Sequence, residues 1–199
     1  MIPYAIYLHY TNMKFKILLV FLMVFAIKNF AMANDNNKIF DFKFEDIDGN
    51  LVSLEKFTGK PIILVNTASR CGFTPQYENL QNLFLKYKNT DLTIIATTSN
   101  SFSQEYSDSE DIKKICLVNY GVGFITSAPM NVTGNDAHPI YSWINDEYSK
   151  SPKWNFFKFL FNRDGRLVDT WSSMTKPDSL KITNLIDNNE TQKEVKSFA

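Results

Sequence analysis

Cysteine and histidine are scarce in this chain of 199 residues. It contains two cysteines, Cys71 and Cys116, and two histidines, His9 and His138. Two cysteines form at most one internal disulfide, which excludes a scaffold held together by several such bonds. A zinc site is not supported either, because only the two histidines could add nitrogen ligands and His9 precedes the signal-like segment described below.

Two kinds of thiol enzyme are disfavoured by what the chain lacks. Cys71 is followed by Gly-Phe-Thr, so threonine stands where the C-x-x-C pair of a disulfide reductase or isomerase needs its second cysteine. A cysteine protease needs a histidine to activate its nucleophile. His138 is the only histidine after the N-terminal segment, and its position directly before Pro139 is typical of a helix start.

Acidic residues are absent from the first 33 residues, which carry three lysines and no arginine. The whole chain balances 21 basic against 21 acidic residues, so the rest of the chain has 18 basic and 21 acidic residues and a net charge of −3. Such a balance offers no basic stripe of the kind that nucleic-acid-binding proteins present. We therefore expect no nucleic-acid partner.

The N-terminal segment has the pattern of a secretory signal peptide. Lys14 and Lys16 precede an apolar run at residues 17–27, and residues 31–33 read Ala-Met-Ala, a small-x-small cleavage pattern. This run is too short to cross a bilayer, which takes about 20 apolar residues, so we expect no stable membrane span. The lack of arginine argues against a mitochondrial transit peptide.

The signal pattern predicts that residues 1–33 are removed and that the mature protein begins near Asn34. Met13 is an alternative translation start to Met1, because residues 1–12 add nothing that such a signal needs. We expect an exported protein with a periplasmic or other extracytoplasmic location.

The chain is organised around residues 61–75, where an apolar run stops at Cys71 and a helix follows. The branched residues at 62–65 predict a strand buried on both faces. Thr74 is the predicted N-cap of the helix, with Pro75 in its first position. Free N–H groups and the positive end of a helix dipole favour an anion such as a thiolate, so Cys71 is a candidate nucleophile. The alternative interpretation, a small buried apolar residue, is left open by position alone.

The remaining pattern predicts one α/β domain at residues 34–187, followed by a polar tail at residues 188–199. The strand before Cys71, the helix after it and an apolar strand at residues 92–97 imply a right-handed crossover and a parallel pair of strands. We expect a central mixed sheet flanked by helices, with an N-terminal β-hairpin. The other predicted elements are the hairpin at 42–52 around Asp48-Gly49, a helix begun by Ser107 that carries Cys116, a helix at 139–147, a hairpin of strands 156–161 and 167–171, and a helix at 180–186.

Three segments resemble the glutathione peroxidase family, a branch of the thioredoxin fold. They read VNTASRCGFTPQY at residues 65–77, CLVNYGV at 116–122 and KWNFFKFL at 153–160, in the family's order and spacing. The resemblance extends over residues 42–186. It implies a thiol peroxidase that reduces hydrogen peroxide or organic hydroperoxides and needs no metal or organic cofactor.

The resemblance also implies a role for individual residues. Cys71 would be the peroxidatic residue, which is selenocysteine in some relatives, and peroxide would convert it to a sulfenic acid. Trp154 and Asn155 would supply N–H groups close to the sulfur. Without the resemblance, they would be interpreted as a core aromatic residue and a turn residue.

Cys116 matches the resolving cysteine of the thioredoxin-dependent members of this family. Those members form an internal disulfide, so a thioredoxin-like dithiol is the expected reductant, with glutathione as the alternative. A disulfide needs Cα atoms within about 7 Å, so the predicted helix around Cys116 would have to unwind locally. The simpler interpretation is that Cys116 packs at an apolar position of its helix.

One loop departs from the family's pattern of Asn-Gln-Phe-Gly-Gly-Gln-Glu-Pro. Residues 100–106 read NSFSQEY, which is one residue shorter, and Ser101 takes the place of the first glutamine, interpreted as the catalytic donor. The serine hydroxyl has a shorter reach and would need a bridging water, so Ser101 is the weakest member of the predicted site. Gln104 aligns with the later glutamine, which the shortened loop could bring inward. The departure supports an alternative function: a weakened peroxidase that acts as a redox sensor or binding module.

Overall fold

The computed structural model describes residues 37–197, with side chains up to Asn188. The predicted signal peptide at residues 1–33 and its cleavage point lie outside these residues. Within the described range, no helix is long and apolar enough to span a membrane.

A five-stranded mixed sheet forms the centre of the domain, as the sequence predicts. Its strands lie in the order β5-β4-β3-β6-β7. Strand β3 pairs in parallel with β4 and antiparallel with β6, β4 pairs in parallel with β5, and β6 pairs antiparallel with β7. All residues of β3 and β4 are buried, because both faces of the sheet are covered. The strands are β3 (Ile62–Thr67), β4 (Thr93–Thr98), β5 (Ile125–Thr126), β6 (Lys158–Phe161) and β7 (Leu167–Trp171).

The predicted N-terminal hairpin is confirmed. Strands β1 (Lys43–Glu45) and β2 (Leu51–Ser53) pair antiparallel. The side chain of Asp46 closes the turn by accepting hydrogen bonds from the N–H groups of Asp48 and Asn50. Gly49 in this turn has a φ of +83°, a conformation that glycine adopts without strain.

Within residues 37–197, four α-helices and one π-helix accompany the sheet. The polar C-terminal segment, predicted as a tail, continues the last α-helix as far as Ser197. Residues such as Glu190, Gln192 and Lys193 in that segment favour the helix. The elements are α1 (Gln76–Lys86), α2 (Ser109–Lys113), the π-helix (Lys114–Asn119), α3 (Pro139–Tyr148) and α4 (Leu180–Ser197), with 3-10 helices at Ile39–Asp41 and Leu54–Phe57.

Two helix starts differ by one residue from the prediction. Pro75, not Thr74, is the N-cap of α1, because the Thr74 hydroxyl oxygen accepts instead from the N–H of Cys71 at 3.1 Å. Asp108, not Ser107, caps α2, and its carboxylate accepts from the N–H of Glu110 at 2.9 Å. At α1 the bond to Cys71 competes with capping by Thr74. At α2 the carboxylate of Asp108, rather than the hydroxyl of Ser107, accepts the capping bond.

The core has one apolar cluster on each face of the sheet. Alternate residues of β3 divide between them: Ile63 and Val65 face one cluster, and Ile62 and Leu64 face the other. Cys71 and Cys116 belong to the same cluster as Ile63 and Val65, together with residues of α1 and α4. The two cysteines therefore lie on one side of the sheet.

Candidate active site

Cys71 lies in the turn that joins β3 to α1. Its Sγ accepts a hydrogen bond from the N–H of Phe73 at 3.4 Å, and the residue is 7% exposed. The Thr74 hydroxyl holds the turn closed, because it contacts the N–H of Cys71 and the carbonyl of Ala68. The sulfur thus has one main-chain N–H donor and a small opening to solvent.

The two residues before Cys71 are held by the loop at residues 100–106. The N–H of Arg70 donates to the carbonyl oxygen of Gln104 at 2.8 Å, and the N–H of Ser69 donates to Oε1 of Glu105 at 3.0 Å. Burial raises the pKa of the Glu105 carboxyl. These bonds fix the cysteine-bearing turn against the shortened loop.

The loop at residues 100–106 closes on itself. The side chain of Asn100 accepts from the N–H of Glu105 at 3.0 Å, and its carbonyl accepts from the N–H of Ser103 at 2.8 Å. Ser103 has a φ of +58°, a left-handed conformation that costs a non-glycine residue about 1–2 kcal/mol. The loop therefore makes its tight turn with a serine, although the family's pattern has glycines in this region.

Trp154 and Asn155 are positioned by Asn66, which lies near the end of β3. The Asn66 side chain donates to the carbonyl of Trp154 at 3.1 Å and accepts from the N–H of Phe157 at 3.0 Å, while its main-chain oxygen accepts from the N–H of Phe156. Phe156 has a φ of +61° and a fully buried side chain. A strained residue is held by surrounding contacts, and Asn66 makes four hydrogen bonds to residues 154–157, the fourth from its own N–H to the carbonyl oxygen of Phe157 at 3.3 Å.

Asn155 contacts Gln104, and this contact joins the two halves of the site. Nδ2 of Asn155 donates to Oε1 of Gln104 at 3.0 Å. Asn155 is fully buried, and its Oδ1 has no hydrogen-bond partner among the described residues. Its carbonyl accepts from the Ser173 hydroxyl at 2.5 Å. Gln104 thus binds Asn155 through its side chain and Arg70, the residue before Cys71, through its main-chain carbonyl oxygen.

Trp154 is not packed as a core aromatic residue. It is 41% exposed, and its ring lies 5.3 Å from the ring of Phe102, centroid to centroid. The partly exposed indole therefore packs against the loop at residues 100–106, which also holds the turn that carries Cys71.

Ser101 is engaged elsewhere. Its hydroxyl oxygen accepts from the N–H of Val132 at 2.9 Å and lies 3.0 Å from the Ser99 hydroxyl. The contact with Asn155 is made by Gln104, which aligns with a later glutamine of the family's pattern and was not among the predicted site residues. The sequence signal for Gln104 is the length of this loop, which is one residue shorter than the family's pattern.

Cys116 lies inside the π-helix and is fully buried. Its Sγ is 3.8 Å from the carbonyl oxygen of Lys113, and burial raises the pKa of its thiol to about 11. Both cysteines are free thiols in this structure. π-Helices occur mostly as single turns and often at functional sites, and here one replaces the α-helix predicted around Cys116.

No group of three or more metal-ligating side chains is present in the described part of the chain. The candidate site instead combines a cysteine with two carboxamides, joined by the Asn155–Gln104 hydrogen bond, and a neighbouring indole; these side chains include a nucleophile and N–H donors. This is the composition expected for attack on a neutral, polarisable oxygen substrate.

The fold and the site define a thioredoxin-like thiol peroxidase. The family model described as glutathione peroxidase matches residues 39–145. The chain is 40% identical over 147 residues to a glutathione peroxidase-like peroxiredoxin of Schizosaccharomyces pombe, covering 71% of this chain and 93% of the relative. It is 38% identical over 162 residues to a hydroperoxy fatty acid reductase of Synechocystis, covering 74% and 94%. The chain belongs to the glutathione peroxidase family.

Solved structures agree with the fold. The crystal structure of Trgpx in its apo form superimposes with a TM-score of 0.65 at 35% identity, covering 79% of this chain and 97% of that one. A thiol:disulfide interchange protein of the thioredoxin family from Chlorobium tepidum superimposes with a TM-score of 0.54 at 14% identity, covering 72% and 91%. The second comparison shows the shared thioredoxin-like fold alone.

Proposed function

We propose that this chain reduces hydrogen peroxide or organic hydroperoxides with Cys71 as the peroxidatic residue and Cys116 as the resolving residue. The contact between Asn155 and Gln104, next to the turn that carries Cys71, is the observation that supports this assignment most strongly. The relatives named as a peroxiredoxin and as a hydroperoxy fatty acid reductase support the substrate class.

The first step is attack of the Cys71 thiolate on the terminal oxygen of the hydroperoxide. A sulfur–oxygen bond forms and the O–O bond breaks with its electron pair on the departing oxygen. That oxygen takes up a proton and leaves as an alcohol, or as water from hydrogen peroxide. The cysteine is oxidised to a sulfenic acid and the peroxide is reduced.

The departing oxygen develops negative charge, which N–H donors stabilise. Trp154 and Asn155 are the donors expected from the sequence. We add Gln104, because its Oε1 accepts from Asn155 and its carbonyl oxygen accepts from the N–H of Arg70, next to Cys71, while its Nε2 amide group is a further N–H donor. Ser101 contacts Val132 and Ser99, which supports a structural role in its loop.

The second step is resolution by Cys116. Its thiolate attacks the Cys71 sulfur, a disulfide forms and the sulfenic oxygen leaves as water. The buried Cys116 thiol, with a pKa of about 11, must first become accessible and lose its proton. Opening of the π-helix would achieve both, so resolution is coupled to local unfolding.

A dithiol of the thioredoxin type is the proposed reductant, because it can exchange with an internal disulfide. Glutathione remains the alternative thiol donor. We also propose export, on the basis of the N-terminal signal pattern. The compartments outside the inner membrane are oxidising, so an exported reductant must regenerate the two thiols.

A second candidate function is a redox sensor that turns over slowly. The deep burial of Cys116 favours it, because slow resolution would let the oxidised form of Cys71 persist. In that case the protein would signal through its oxidation state.

Peroxide turnover separates these assignments. Wild type and Cys116→Ser are assayed with hydrogen peroxide and a lipid hydroperoxide, driven either by a thioredoxin system or by glutathione. We expect thioredoxin-driven turnover in wild type and its loss in Cys116→Ser. Turnover that persists in the variant would refute the resolving role. Stoichiometric oxidation of wild type without turnover would favour the sensor.

A further inference from the structure

Lys158 is a lysine buried in the sheet, and no acidic side chain among the described residues pairs with it. It lies on β6 between Val65 of β3 and Trp171 of β7, and it has no exposed surface. Its Nζ donates to Oε1 of Gln76 at 2.5 Å and to the carbonyl oxygen of Thr175 at 2.7 Å. Burial lowers the pKa of its ammonium group to about 7.

The charged residues on the surrounding elements do not compensate this amine. They lie at the protein surface, and none of them forms a hydrogen bond or ion pair with Lys158 in the described structure. Tyr77 is the buried titratable group nearby on α1, and burial raises its pKa, which keeps it neutral. The exposed charged residues whose side chains are described are Glu78 and Lys86 on α1, Asp169 on β7, Lys176 and Asp178 after β7, and Lys181 and Asp187 on α4.

Stability does not explain a lysine at this position. Burying an amine without an acidic partner is unfavourable, and a methionine of similar length would fill the same space without that penalty. The amine does supply what a methionine cannot, which is two N–H donors aimed at two fixed acceptors.

A chain of hydrogen bonds leads from Lys158 to the active site. Because Lys158 binds Oε1 of Gln76, the Gln76 amide turns its Nε2 to the carbonyl of Ser173, at 2.5 Å. The Ser173 hydroxyl donates in turn to the carbonyl of Asn155, also at 2.5 Å. Asn155 then donates to Gln104 at 3.0 Å. Gln76, Ser173 and Asn155 are all buried, so water does not compete for these bonds.

We propose that Lys158 is a positioning residue for Asn155, acting through Gln76 and Ser173. The inference rests on the proposed peroxidase function and deepens it. Lys158 fixes the orientation of the Gln76 amide, the amide holds Ser173, and Ser173 holds the main chain of Asn155. Both protonation states of the amine have enough N–H groups for the two acceptors, and the charged state makes the stronger bonds.

Three substitutions interrupt this chain at different points. Lys158→Met removes the amine. Gln76→Glu keeps an acceptor for Lys158 but removes the donor to Ser173. Ser173→Ala removes only the donor to Asn155. Thr126→Val is the matched control, because Thr126 is buried on β5 and its hydroxyl has no partner in the described structure.

Two rates are measured by stopped flow in a Cys116→Ser background, where Cys71 is the only thiol. One is oxidation of Cys71 by hydrogen peroxide, which requires the donors. The other is alkylation by iodoacetamide, which requires an accessible thiolate alone. We expect each substitution to slow oxidation of Cys71 about tenfold, which corresponds to the net free energy of one buried hydrogen bond. The alkylation rate should stay within about twofold of the rate in the Cys116→Ser parent. Lys158→Met with Ser173→Ala should be no slower than the slower single variant, because both act on one path.

Equal slowing of both rates would overturn the inference, since it would place the effect on the thiolate or the whole fold. Unchanged oxidation in folded variants would overturn it too. If Lys158→Met does not fold, Gln76→Glu and Ser173→Ala decide the matter, because both retain the lysine. Failure of the proposed function is recognised separately: the parent protein itself would then react with peroxide no faster than free cysteine.

Discussion

The Nδ2 group of Asn155 donates a hydrogen bond to Oε1 of Gln104 across 3.0 Å. The carbonyl of Gln104 accepts from the N–H of Arg70, the residue before Cys71. Two segments 51 positions apart in the chain are therefore joined at the turn that carries the nucleophile. Gln104 serves both segments, which makes it the residue whose removal should affect the site most clearly.

Gln104→Ala is expected to slow the oxidation of Cys71 by peroxide. The substitution removes a preorganised donor and also frees the Asn155 side chain. Loss of one such donor lowers rates by about 10²–10³ in a comparable oxyanion site. The measurement is the second-order rate constant with hydrogen peroxide by stopped flow.

Ser101→Ala is the matched control for Gln104→Ala, in the same loop. It removes the acceptor for the N–H of Val132, so we expect a loss of about 1 kcal/mol in the free energy of unfolding and a rate within about threefold of wild type. The reverse ranking, with Ser101→Ala slow and Gln104→Ala unaffected, would restore Ser101 as the donor.

Asn66→Ala should destabilise the protein, because Asn66 is fully buried and its side chain holds Trp154 and Phe157. Each main-chain group left unpaired in the interior costs about 1–3 kcal/mol, so we expect a loss of about 2–4 kcal/mol by urea denaturation. Thr126→Val serves as the control and should change the free energy of unfolding by less than about 1 kcal/mol. If Asn66→Ala changes the free energy of unfolding as little as the control does, these hydrogen bonds contribute little to stability.

Much of the fold follows from local pattern. The buried runs of β3 and β4, the Asp48-Gly49 hairpin and the helix beginning at Pro139 all carry signals within a few residues, and the structure confirms them. The start of α1 was displaced by one residue because Thr74 bonds to Cys71 instead of capping the helix.

The site was less predictable, because its decisive contacts are long-range. Cys71 could be singled out from the strand, turn and helix around it. No local pattern shows that Gln104 reaches Asn155, or that Lys158 binds Gln76 on another element. The π-helix around Cys116 has no sequence signal distinct from that of an α-helix.

The stability of wild type relative to Lys158→Met should depend on pH. Folding lowers the pKa of Lys158 from 10.5 to about 7. Below pH 7 the folded and unfolded chains both bind the proton, so the difference in unfolding free energy is constant. Between pH 7 and 10.5 only the unfolded chain binds it, so wild type gains stability relative to the variant by about 1.4 kcal/mol per pH unit.

Urea denaturation of both proteins at pH 6, 7, 8 and 9 measures this slope, and the contributions of the other groups cancel in the difference. A difference that stays flat from pH 6 to 9 would show that the buried amine keeps its proton and that the pKa is not lowered.

Cys116 should resist alkylation in the folded, reduced protein. It is fully buried with a thiol pKa of about 11, so at pH 8 iodoacetamide is expected to label Cys71 and to leave Cys116 unmodified by mass spectrometry. In a separate sample that has not been alkylated, one equivalent of peroxide should yield the disulfide between Cys71 and Cys116. Labelling of both cysteines at similar rates would contradict a closed π-helix.

We propose that Cys71 is a thiol whose surroundings make it react rapidly with peroxide. The most direct test is the second-order rate constant for oxidation of Cys71 by hydrogen peroxide in Cys116→Ser, compared with free cysteine at the same pH. We predict that Cys71 reacts at least about a hundredfold faster, the contribution expected of one preorganised donor. A rate constant equal to that of free cysteine would show that the surroundings of Cys71 do not activate it toward peroxide.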